Sequence, residues 1–154
     1  MVSILNAPAV PKAIFLLVVE DSEPYLYLIQ RAFRDRREIR WNIMVAKDGE
    51  QALKISFDEE RTNAPLPDLI LLDWNLPKIS GNEVLRRIKE PEKLRNIPVL
   101  VFSSSVAEED IQSAYNNHAN GYITKPNAPD VLAAIVETIE QFWVLVARLP
   151  KVKR

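Results

Sequence analysis

Five short apolar runs recur along the chain at similar intervals: Ile14 to Val19, Ile43 to Ala46, Leu69 to Leu72, Val99 to Phe102 and Tyr122 to Thr124. Each has the length of a strand. Between them, apolar positions fall at helical spacing: Leu26, Ile29 and Phe33; Ala52 and Ile55, with Glu59 closing the stretch; Val84 and Ile88; Ile111, Ala114 and Tyr115. Strands alternating with helices predict parallel pairing through right-handed crossovers. The near-continuous first, third and fourth runs suit a sheet covered on both faces. The expected architecture is a doubly wound α/β sandwich.

Local signals place two helix starts. Ser80-Gly81-Asn82-Glu83 has the capping-box spacing, in which side chains satisfy the free amides of a first turn. Asn127-Ala128-Pro129-Asp130 offers a cap, a proline whose missing amide costs nothing, and an acid suited to the helix dipole.

The chain has 154 residues, 47% of them hydrophobic, enough for one domain with a buried core. We divide it into a short leader (1–12), a domain ending in an extended helix (13–149) and a basic tail (150–154). The 20 basic and 21 acidic residues leave a formal net charge of -1, so no global field favours nucleic acid or an anionic membrane. No stretch reaches the roughly 18 apolar residues of a membrane span. The absence of cysteine removes disulfides, thiolate zinc sites and thiol nucleophiles, and fits a cytoplasmic location. Gly49, Gly81 and Gly121 are isolated, so no phosphate-cradling glycine loop can form. His118 is the only histidine and reads as a loop residue.

In an open α/β sheet the ligand site lies beyond the carboxyl ends of the strands, where the winding reverses. Run 1 is followed by Glu20 and Asp21, run 3 by Asp73, run 4 by Ser103 and run 5 by Lys125. Any one of these could be a turn residue; five at the ends of four strands point to chemistry. Two carboxylates about 4 Å apart repel by about 1 kcal/mol in water and several times that inside a protein. Three acids together therefore call for a hard divalent cation, with Mg2+ expected and Mn2+ able to substitute, or for a proton on one of them. Beside such an ion, Asp73 is equipped to accept a phosphoryl group as an acyl phosphate. Lys125 would offset charge on the phosphoryl oxygens and Ser103 would hydrogen-bond to one.

At these residues the sequence resembles the receiver domain of bacterial two-component response regulators, a CheY-like, flavodoxin-like fold with strand order 2-1-3-4-5. The likeness runs from Phe15 to Trp143. It rests on Leu17-Val18-Val19-Glu20-Asp21, Leu71-Leu72-Asp73-Trp74-Asn75-Leu76-Pro77, Pro98-Val99-Leu100-Val101-Phe102-Ser103-Ser104 and Tyr122-Ile123-Thr124-Lys125-Pro126. It implies that Asp73 takes phosphate from a phosphohistidine on a sensor histidine kinase. It also implies that Asp21, Asp73 and the Asn75 main-chain carbonyl hold the metal, with Glu20 acting through water. Lys125 would bind the phosphoryl group through a cis bond to Pro126, and Ser103 with Tyr122 would form a hydroxyl-and-aromatic switch. Asn75 and Ser105 would flank the water path, favouring hydrolysis over storage. The segments Pro77-Lys78, Glu109-Asp110-Ile111, His118-Ala119-Asn120 and Phe142-Trp143 further resemble the single-domain regulators that partner cyanobacterial phytochromes.

Two surface features remain. Arg31, Arg34, Arg36, Arg37 and Arg40 form a basic cluster, expected to be solvated or to steer an acidic partner. In the last helix, Val131, Ile135, Ile139, Phe142 and Val146 form one stripe, with Trp143, Leu145 and Leu149 around it. Either this end folds back on its own domain, or it buries itself in a homodimer across helix 4, strand 5 and helix 5, with Ile111, Tyr122, Phe142, Trp143 and Val146 as interface residues. The expected function is a signalling module whose enzymatic acts are limited to metal-dependent phosphoryl acceptance and slow self-hydrolysis. The alternatives are an aspartate-nucleophile phosphohydrolase, which would want an acid where Asn75 stands, and a phosphate-independent adaptor.

Overall fold

A computed structural model describes residues 11, 13–58 and 65–150. Most of the leader, Glu59 and the basic tail beyond residue 150 lie outside the described residues. The elements alternate as expected: β1 (Ala13–Val19), α1 (Glu23–Arg34), β2 (Arg40–Ala46), α2 (Gly49–Ser56), β3 (Leu69–Asp73), α3 (Gly81–Lys89), β4 (Val99–Ser103), α4 (Glu108–Asn116), β5 (Gly121–Thr124) and α5 (Pro129–Ile139). A π-helical stretch, Glu140–Val146, prolongs α5. All strand pairs are parallel, in the order β2-β1-β3-β4-β5.

Because side chains alternate across a strand, a sheet buried on both faces needs apolar residues at every position, and the central strands supply them. Leu17, Val19, Ile70, Leu72, Val99 and Val101 face α2, α3 and α4, where Ala52, Val84, Leu85, Ile88 and Ala114 meet them. Leu16, Val18, Leu69, Leu71, Leu100 and Phe102 face the other way, onto Leu26, Ile29 and Phe33 of α1 and Leu132, Val136 and Ile139 of α5. A one-residue slip of β3 would exchange the two faces.

The helix starts came out unequally. Ser80 caps α3, its Oγ accepting from the Glu83 amide at 3.2 Å. The Glu83 carboxylate is taken by Arg86 and Arg87. At α5, Pro129 sits in the first turn as expected, but the cap position falls on Ala128 and no side chain bonds to the free amides. Asn127 stands one residue too early to serve.

The end of the chain departs further from the sequence expectation. The proposed stripe is split: Ile139 is buried and Ile135 packs on the core, whereas Val131, Phe142 and Val146 are exposed. The wider π-helical turn changes the phase of the side chains. It turns Val144 and Leu145 inward, onto Ile14 and Ile39, in a small second core. At the first residue of that turn Glu140 is wholly buried. Its Oε1 accepts from Arg36 Nε and Nη2 at 3.2 and 3.0 Å, and its Oε2 from Trp41 Nε1 at 2.7 Å. Arg36 is thus drawn out of the basic cluster and against the body of the protein. The helix end folds back on its own domain to this extent, leaving Phe142 and Val146 as a small exposed apolar pair beside half-buried Trp143.

Candidate phosphoryl-acceptor site

The winding reverses between β1 and β3, whose chain successors lie on opposite sides, and the acids sit at the carboxyl ends of these two strands. Glu20 continues β1, its amide bonded to the Ala46 carbonyl at 3.0 Å, and its carboxylate is buried. Asp21 is exposed at the rim. Asp73, the last residue of β3, is 5% exposed. The α3 start is pressed against that strand end, so Gly81 is required: a Cβ there would lie 2.4 Å from the Asp73 carbonyl oxygen and 2.7 Å from Trp74 Cα.

One oxygen from each of Glu20, Asp21 and Asp73 lies within 4.8 Å of the others. Among the described residues, one ammonium opposes them. Lys125 Nζ stands 2.5 Å from Glu20 Oε1 and 3.3 Å from Asp73 Oδ2. With three acids against one base, the pocket carries a formal charge of about -2. The imbalance appears in the chemistry of Asp73. Burial, and then the neighbouring Glu20 carboxylate, push its carboxyl up to about 7; Lys125 and the Asn75 amide, 3.3 Å from Oδ1, pull only partly the other way. A protonated carboxyl is a poor nucleophile. The oxygen-only donor set and its uncompensated charge suit a hard divalent cation, which would restore the ionised form.

Ser103 ends β4 with its hydroxyl fully buried. Its Oγ accepts from the Ser105 amide at 3.1 Å, and its carbonyl accepts from the Lys125 amide at 2.9 Å. The structure therefore brings Glu20, Asp21, Asp73, Ser103 and Lys125 to one end of the sheet. Asn75 is exposed in the loop after β3 and its amide turns towards Asp73. One expectation fails: no cis peptide bond occurs among the described residues, so Lys125 precedes a trans proline. Its stem still reaches both carboxylates, because strand pairing carries the β5 end to the side of Ser103.

Tyr122 is half-buried, and its hydroxyl donates to the Ser105 carbonyl at 2.9 Å. Ser105 is the hub of the β4–α4 loop. Besides its bonds to Ser103 and Tyr122, its Oγ donates to Asp110 Oδ2 at 2.5 Å and accepts from the Ala107 amide at 3.2 Å. Sequence reasoning placed Ser105 on a water path; the structure makes it the joint between Ser103, Tyr122 and the first turn of α4. Of the other interface candidates, Ile111 and Trp143 are half-buried, while Phe142 and Val146 are exposed. Tyr25, in the first turn of α1, was missed. Its ring lies 4.8 Å from Lys125 Nζ, and burial with the nearby Glu20 and Asp73 carboxylates pushes its phenol up to about 12. The available signal was position, since side chains of a first helical turn lean back towards the preceding loop.

Comparison with known proteins agrees with this geometry. Residues 16–137 match the response regulator receiver domain. The chain is 40% identical over 129 residues to the "Probable methanogenesis regulatory protein FilR2" of Methanothrix harundinacea, covering 84% of this chain and 83% of that protein. It is 39% identical over 141 residues to response regulator Rcp1 of Synechocystis sp., covering 91% and 94%. A Mn(2+)-bound structure of Rcp1 superposes with a TM-score of 0.82 over 90% of this chain and 99% of that one. The phosphorylated cyanobacterial phytochrome response regulator RcpA superposes with a TM-score of 0.84 at 41% identity, again covering 90% and 99%. A reversal-point acidic pocket on a 2-1-3-4-5 sheet and this kinship along most of the chain lead to one conclusion: the protein belongs to the response regulator receiver domain family of two-component signalling.

Proposed function

We propose that Asp73 is the phosphoryl acceptor, that Mg2+ is the working cation, and that the donor is a phytochrome-type histidine kinase. The observation that carries the acceptor assignment is Lys125 Nζ reaching both Glu20 and Asp73 within a cluster of three carboxylates. In the transfer, an Asp73 carboxylate oxygen attacks phosphorus, the O–P bond forms as the N–P bond to histidine breaks, and the histidine nitrogen recovers a proton. Lys125 places positive charge at the phosphoryl oxygens as the new bond forms. The buried Ser103 hydroxyl is placed to donate to one of them. A shift of Ser103 Oγ towards the phosphoryl group would draw it away from the Ser105 amide, and the change would reach Tyr122 through the Ser105 carbonyl. Asp21 and Asp73, the Asn75 carbonyl and, through water, Glu20 would hold Mg2+, which neutralises charge in the pocket and keeps Asp73 ionised. Water hydrolyses the acyl phosphate slowly, which is the chain's only enzymatic turnover.

The phytochrome reading is supported by the 41% identity to RcpA, a cyanobacterial phytochrome response regulator, and a cytoplasmic location goes with it. Among the described residues no helix is long and apolar enough to cross a membrane. The signal would leave through protein contacts, including a homodimer across α4, β5 and α5. The exposed Phe142 and Val146 beside Trp143 favour this.

Incubation with acetyl phosphate and Mg2+ should add one acid-labile phosphoryl group, lost in Asp73→Asn and in the presence of chelator. Labelling that survives Asp73→Asn would refute the assignment. Phosphotransfer profiling against the host's histidine kinases tests the donor, with a phytochrome kinase expected to transfer fastest.

A further inference from the structure

Tyr25 touches the site in ways that neither capping nor core packing requires. Its amide is bound by the Ser22 cap at 3.4 Å, which fixes the residue in the first turn of α1. The ring packs against Phe102 of β4, with centroids 5.9 Å apart at 55°. Its outer face meets Lys125, whose Nζ lies 4.8 Å from the ring centroid. The hydroxyl donates to the Pro126 carbonyl at 3.2 Å, so it also holds the backbone immediately after Lys125.

These contacts bear on a conflict within the pocket. Lys125 has a long flexible stem and two carboxylates to choose between, and it stands nearer to Glu20 than to Asp73. An ammonium committed to Glu20 would be lost to a phosphoryl group arriving on Asp73. An aromatic face attracts a cation without a directional hydrogen bond. It therefore keeps the ammonium over the pocket while leaving its protons free to move from one oxygen to another. An aliphatic side chain would fill the same space with no such attraction.

We propose that Tyr25 is a positioning residue for phosphoryl transfer: its ring holds the Lys125 ammonium between Glu20 and Asp73, and its hydroxyl fixes the β5–α5 turn that carries Lys125. This rests on the reading of Asp73 as acceptor. Tyr25 meets neither phosphoryl group nor metal, so its effect is on rate through Lys125, with cation binding and folding left intact.

The test uses the full chain with Tyr25→Leu, which removes the ring, and Tyr25→Phe, which removes only the hydroxyl. Initial rates of acid-labile phosphate formation are measured with phosphoramidate and saturating Mg2+. The Mg2+ midpoint is followed by tryptophan fluorescence, which includes buried Trp74 beside Asp73. Tyr25→Leu should slow phosphorylation about tenfold and Tyr25→Phe about twofold. The Mg2+ midpoint and melting temperature of both should stay near the parent's. A parent-like rate in Tyr25→Leu would overturn the proposal, and so would equal losses in the two variants. A melting temperature or Mg2+ midpoint that falls in step with the rate would reduce Tyr25 to a structural residue and overturn it as well. Failure of the underlying reading looks different: the parent would take up no phosphate, or Asp73→Asn would retain it.

Discussion

Charged side chains are buried at both ends of the sheet, and the two ends settle them differently. At the amino ends of the strands, wholly buried Glu140 is matched by one arginine and one indole N–H. At the carboxyl ends, three carboxylates share one lysine, and the pocket opens to solvent at Asp21. Charge buried for structure is paired, because an unpaired buried ion costs several kcal/mol. Charge buried for function is left unbalanced, and the imbalance is what a cation and a phosphoryl group correct. The Asp73 carboxyl, pushed up to about 7, marks the imbalance.

Breaking the paired end should have the largest effect on stability. Glu140→Ala strands Arg36 and Trp41 and should cost about 3 kcal/mol in urea unfolding. A loss below about 1 kcal/mol would mean that Arg36 simply turns out to solvent. The opposite sign is expected at the other end. Asp73→Asn in chelator relieves repulsion and should stabilise the fold by about 2 kcal/mol, read from the same urea curves. Destabilisation there would contradict the idea of an overcharged pocket.

The pH dependence sharpens the same contrast. With Asp73 raised to about 7, the folded chain keeps a proton that the unfolded chain releases near pH 4. The folded state then binds more protons across that window, so stability in chelator should fall as pH rises from about 4 to about 7 and level off above. A melting temperature lower by about 5 °C at pH 8 than at pH 5.5 is expected, and either Mg2+ or Asp73→Asn should remove the difference. A rise over that range would count against a protonated Asp73.

The smallest effect concerns the exposed pair on the π-helical turn. Truncation before Phe142 would be a poor test of a dimer, since it also removes Val144 and Leu145, each worth about 2 kcal/mol of burial. Phe142→Ser with Val146→Ser leaves that second core in place. Sedimentation should show a shift to monomer, with stability changed by less than about 0.5 kcal/mol. An unchanged sedimentation coefficient would sink the proposed interface.

Much of this protein was legible in the order of its residues. The near-continuous apolar runs of β1, β3 and β4 and the three-four spacing of α1 and α3 are local properties, so the apolar pattern was enough to place strands and helices. The acids after β1 and β3 stood out because the ends of parallel strands meet at the reversal. Other features depended on contacts between residues far apart in the chain. Arg36 read as one of a solvated group until Glu140, 104 residues later, drew it inward. The phase of the last helix changed because seven residues wound with a wider turn, which a pattern of fixed period does not anticipate. Tyr25 drew no reading from the sequence, since its role depends on β5 carrying Lys125 over its ring. Sequence by itself determined the layers and the acidic pocket, because periodicity and strand ends are written locally. Only the tertiary structure decided which cation answers which carboxylate and what holds it there, because that depends on where packing brings distant side chains.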